Sequence, residues 1–141
     1  MPPRWIAMAA APVLFAAACA PATEATPAPP ADARPLTESG AHEQRLDDVT
    51  QELRDALEPH YGRLEIKAYR LPAGATFSSV ATHYQGALAN WKAEPALPRR
   101  IRAAQGQAWR HGKAVLAIAL IDTPVAGAQN DYTVLVVARN S

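Results

Sequence analysis

The chain has 141 residues, of which 49% are apolar, but 32 of them are alanine, so the residues able to drive burial are closer to a quarter of the chain. Lys and Arg number 14 against 13 Asp and Glu, a net charge of +1, and that balance argues against a nucleic-acid binder. A single cysteine excludes an internal disulfide and a cysteine-based metal site.

Proline and glycine divide the chain. Eight of the thirteen prolines fall at or before Pro35, and all seven glycines lie at or after Gly40. Met1 to Arg4 supplies a positive charge, followed by an apolar run of 14 residues from Trp5 to Ala18, interrupted by Pro12. A spanning helix needs roughly 20 such residues, so residues 1–18 read as an export signal and not as a membrane span.

The run ends in Ala16-Ala17-Ala18-Cys19, and over residues 1–19 the sequence resembles the bacterial lipoprotein class. That resemblance implies a Cys19 diacylated on sulfur (palmitate and related chains), then released by signal cleavage and acylated on its new amino group. Ala20 after the cysteine implies outer-membrane sorting, with the remaining chain in the periplasm. An ordinary secretory signal cut within Ala16–Ala18 is the plainer alternative and would leave Cys19 a free thiol.

Residues 19–41 read as the lipidated cysteine and a Pro/Ala-rich tether, with five prolines and no glycine over residues 20–36. Such a segment lacks the apolar surface to order itself and is biased to extended polyproline II. From Cys19 to Gly40 it could reach roughly 65 Å.

Residues 42–141 carry the periodic signals of one small domain. Leu46, Val49, Leu53, Ala56 and Leu57 recur at helical spacing beside an acidic face, and Pro59 and Gly62 stop that helix. Leu64 to Leu71 alternates with period two and ends at Pro72-Ala73-Gly74, predicting a strand and a turn. Thr76 or Ser78 can cap a second helix, whose stripe runs Phe77, Val80, Ala81, Tyr84, Leu88 and Trp91 up to Pro95. Strands are expected on either side of His111-Gly112. Ala114 to Ile121 is apolar on both faces, and Tyr132 to Ala138 forms the last strand beyond a loop from Asp122 to Asp131.

The expected fold class is α+β, with order α-β-α-β-β-β: two helices packed on one face of a four-stranded, mainly antiparallel sheet, a two-layer sandwich. That layout leaves Leu116, Ile118 and Leu120 on an uncovered apolar face, a candidate partner surface that would also suit a homodimer, unless another segment of the chain wraps over it.

Charge is segregated: residues 36–65 carry net −5 and residues 66–141 net +6. Arg99, Arg100 and Arg102, with Arg110 and Lys113, form a candidate patch for an anionic ligand or partner, the alternative being a solvated face or pairing with the acidic first helix. The four histidines are dispersed, no pair has helix-face metal spacing, and there is no nucleophile elbow or phosphate-binding glycine loop, so neither metal, cofactor nor catalysis is expected. The function that fits is a non-enzymatic outer-membrane lipoprotein acting as a scaffold or assembly factor, with the membrane and another envelope protein as partners. An inhibitor or immunity-type lipoprotein and a small-ligand or glycan-binding module remain alternatives.

Overall fold

A computed structural model describes residues 26–37, 43–121 and 132–141, so the export signal, Cys19, His42 and the loop from Asp122 to Asp131 lie outside the described residues. Two helices and a mainly antiparallel sheet make the chain α+β. Its elements are β1 (Arg34–Pro35), α1 (Glu43–Tyr61), β2 (Leu64–Pro72), α2 (Phe77–Ala87), β3 (Lys92–Ala93), β4 (Arg100–Ile101), β5 (Ala104–His111), β6 (Ala114–Ile121) and β7 (Tyr132–Asn140).

The sheet runs β1-β2-β7-β6-β5-β3, with β4 also paired to β5, and each of these pairings is antiparallel. Four strands are long, β2, β5, β6 and β7, but the element order is not the expected α-β-α-β-β-β. The sheet nevertheless has seven, because two-residue strands too short to show periodicity extend both edges.

Local signals place the elements. Thr76 caps α2, its side chain accepting from Ser79 N at 3.2 Å. Gly62, with φ of 78°, closes α1 by donating to Glu58 O at 2.9 Å. Gly112, with φ of 59°, turns β5 into β6, where His111 faces Ala114. The second helix stops at Ala87, short of Trp91, because Leu88 caps it and its N–H returns to Tyr84 O.

The sandwich is three layers deep, which corrects the two-layer expectation. Val49, Leu53 and Leu57 of α1 pack with Val115, Ala117, Ala119 and Ile121 of β6 and with Val134, Val136 and Ala138 of β7. Val80, Ala81 and Tyr84 of α2 pack with Leu116, Ile118 and Leu120 of β6 and with Leu135 and Val137 of β7. One helix therefore covers each face. The physical reason is the pattern of β6 itself: side chains alternate across a strand, so an all-apolar strand presents apolar surface both ways, and two helices on one side would leave half of it wet. Leu116, Ile118 and Leu120 are 2%, 0% and 6% exposed. They are core, not a partner face, and the argument for a dimer through them goes with that correction.

The edges are also closed. At β2, Ala68 O accepts from Leu36 N at 3.0 Å, Leu64 N donates to Glu58 Oε1 at 3.2 Å, and Leu64 O accepts from Arg54 Nη1 at 3.2 Å. At β5, Ala108 O accepts from Glu94 N and Gly106 N donates to Arg99 O, both at 2.8 Å. Those bonds occupy the groups through which an edge strand would recruit another strand. Gly106 allows that cover: a Cβ there would meet Leu97 Cδ2 at 3.3 Å.

The described residues include 26–37, within the stretch read as tether. Residues 26–37 lie along the outer side of β2 and α2, tied by β1 and by His83 Nε2–H, which donates to Ala28 O at 2.8 Å. The burial of β6 gives a test. Ile118→Ala should lower unfolding free energy by about 2–5 kcal/mol in urea melts, the usual cost of a cavity in a closed core. A loss within roughly 0.5 kcal/mol, as at an open surface, would contradict the three-layer packing.

Candidate functional site

A group of polar side chains lies beside the β5–β3 edge. The last turn of α1 brings His60 and Tyr61 there, β3 leads into Glu94, Pro95 and Ala96, and β5 supplies Arg110, one register step from Trp109. These six side chains line an open cleft of about 520 Å³.

Glu94 is the centre of the group. Its carboxylate accepts a short hydrogen bond from Tyr61 Oη, accepts from Ala96 N at 3.0 Å, and lies 3.8 Å from Arg110 Nε. Its side chain is 11% exposed, whereas that of Arg110 is 52% exposed. The hydrogen bonds from Tyr61 and Ala96 N, ahead of the field of Arg110, hold the Glu94 carboxyl below its ordinary range. Burial and the same hydrogen bond push the Tyr61 phenol up. At neutral pH the pair is thus a carboxylate and a neutral phenol, a fixed acceptor and donor beside an exposed guanidinium. Neither is poised to exchange a proton near neutrality, which general acid–base work requires. Next to the cleft, Trp91 and His111 stack with ring centroids 5.7 Å apart.

Arg99, Arg100, Arg102, Arg110 and Lys113 of the candidate basic patch are all exposed, and one of them takes the alternative of pairing with the acidic first helix. Arg102 is drawn to the acidic helix, its Nε 3.2 Å from Glu52 Oε1 and its N–H donating to Glu52 Oε2 at 3.3 Å. Arg100 pairs with Gln105 in the β4–β5 ladder, Arg99 supplies its carbonyl to Gly106, and Lys113 supplies its carbonyl to Asn140. Arg110 alone of the five lines the cleft. Among the described residues no cluster of three His, Cys, Asp or Glu could hold a metal ion.

Glu94 and Tyr61 carry no motif, and their contact spans 33 positions of sequence. One hint was present: Glu94 is one of three acids in the basic stretch 66–141, and an acid in such surroundings tends to be paired. No protein-family model, curated protein or solved structure matches the chain.

The depressed Glu94 carboxyl makes the acid limb of stability predictable. Below its ordinary value of 4.5 the unfolded chain takes up a proton that the folded chain resists, so stability is present above that value and falls as pH drops toward the lower folded one. Glu94→Gln should flatten this limb and cost about 1.5–3 kcal/mol at neutral pH, the usual worth of hydrogen bonds to a charged group. A residual limb should persist from Glu58, which Arg54 and Leu64 N also hold low. Urea melts across the acid range check this, and an unchanged limb in the variant would contradict it.

Proposed function

We propose that this protein is an outer-membrane-anchored, periplasm-facing lipoprotein without catalytic activity of its own, which binds another envelope protein at the Glu94–Arg110 cleft. Anchoring rests on the Ala16-Ala17-Ala18-Cys19 signature and on the Pro-rich stretch behind it. Two or more acyl chains hold a protein stably at a bilayer, as one chain does not. No helix among the described residues is long and apolar enough to cross a membrane, so attachment falls to Cys19 in this reading.

The observation that carries the binding reading is the cleft itself: a carboxylate fixed by Tyr61 and Ala96 N beside a half-exposed guanidinium, in an open recess of about 520 Å³. Small-ligand sites bury most of their ligand. An open, charged recess instead suits a protruding segment of a protein, with Arg110 reaching a carboxylate and the Glu94 group holding Arg110 in place. Closed sheet faces and edges leave this cleft as the better docking site than the sheet.

The reading is tested in cells with a photoreactive residue at His60 beside the cleft and, separately, at Gln85 on the exposed side of α2. A discrete protein adduct is expected from the cleft position, absent from the α2 position, and lost with Arg110→Glu. The adduct should also be lost when Cys19→Ser releases the chain from the membrane fraction. Equal adducts from both positions, or an adduct indifferent to Arg110→Glu, would overturn the docking site, and an unmodified Cys19 in the mass of the mature chain would overturn the anchor.

A further inference from the structure

At the opposite edge of the sheet the chain holds part of its own proline-rich segment. Thr26 to Pro29 crosses β2 and α2 over Tyr69, Tyr84 and Val137. Pro27, Pro29 and Pro30 are half-buried, whereas Thr26, Ala28 and Ala31 are exposed, so over residues 26–31 the prolines are the more covered side chains. Pro27 and Pro30 stand three apart, the repeat of a polyproline II helix, and such segments characteristically dock on aromatic-lined grooves.

The strap fits this groove incompletely. Two cavities flank it, one of about 190 Å³ bordered by Pro27, Pro29 and Tyr84, and one of about 300 Å³ bordered by Pro30, Leu71 and Val80. Among the described residues the hydrogen bond from His83 to Ala28 O, the two-residue ladder of β1, the bond from Leu36 N to Ala68 O and the packing of Ala33 and Leu36 tie it to the domain. Beneath it Tyr84 is 0% exposed, and its hydroxyl has no hydrogen-bond partner among the described residues. Burial of that phenol, with Tyr69 nearby, pushes its pKa up to about 12, so it remains a donor at any physiological pH. A buried donor left unpaired disfavours the state that buries it.

We propose that the Tyr69–Tyr84 groove is a receptor for proline-rich segments of PxxP spacing, occupied in cis by the chain's own Pro27–Pro30 and exchangeable for such a segment of another envelope protein. The incoming segment would present a backbone carbonyl to Tyr84 Oη, the bond the strap does not make. With Cys19 acylated as proposed above, exchange also changes reach: the extended span from Cys19 to Thr26 is about 22 Å, and that from Cys19 to Leu36 about 53 Å. The binding step itself depends neither on the anchor nor on the cleft.

The test uses the full-length mature chain in detergent and a fluorescent peptide with the sequence of residues 24–36, read by anisotropy. Pro27→Ser with Pro30→Ser in the protein's own strap should tighten peptide binding by about fivefold, since an occupied groove lowers apparent affinity by the fraction left open. A peptide carrying the same two serines should bind roughly tenfold more weakly. Circular dichroism confirms that each variant is folded. Equal binding of native and serine peptides, or equal affinity of wild-type and strap-substituted protein, would each overturn the proposal.

Discussion

β6 and its neighbour β7 are apolar toward both sides, and this constraint governs the architecture. A strand whose two faces both avoid water has to lie inside, with strands on either side and a layer above and below. β6 accordingly pairs with β5 and β7, α1 closes one face and α2 the other. Thr133 shows how strict the interior is: it is a polar residue of β7 buried to 2%, and its hydroxyl donates to Ile121 O at 2.7 Å.

Once the faces are taken, the edges decide what the surface can do. Glu58 and Arg54 of α1 occupy the backbone of Leu64, β1 and Leu36 occupy the next stretch of β2, and the segments around Glu94, Arg99 and Ile101 line β5. Charged Glu65 and Lys67, which pair with each other at 3.6 Å, guard the rest of β2. Recruitment of a partner by strand addition, the simplest route for a small sheet protein, is thereby blunted. Two features made by irregular chain remain at the sheet edges, the cleft at one and the proline strap at the other.

Periodicity made much of this legible. The helix stripe of Val49, Leu53 and Leu57, the alternation of β2, the cap at Thr76 and the split of β6 into two apolar sides all follow from local pattern, and the structure places each where that pattern puts it. Which helix meets which side of β6 is a matter of chain crossing that no local pattern encodes, and there the two-layer expectation failed. Two-residue strands such as Lys92–Ala93 hold too few residues to alternate. Arg102 looked like part of a cationic patch because its partner Glu52 lies 50 positions earlier, and the Tyr61–Glu94 contact was hidden for the same reason. The reading of Cys19 rests on its immediate neighbours alone, Ala16-Ala17-Ala18 before it, and lies outside the described residues.

The double cover of the central strands also sets where the molecule is firm and where it yields. Core strands open only with global unfolding, whereas segments with few buried contacts open locally. Amide hydrogen exchange tests this directly. The amides of Val115–Ile121 and Val134–Ala138 should exchange together, at the rate of global unfolding, while those of residues 26–33 exchange far faster. Protection of β6 that is lost separately from that of β7, or a strap as protected as the sheet, would contradict a fold organised around one strand pair covered on both sides.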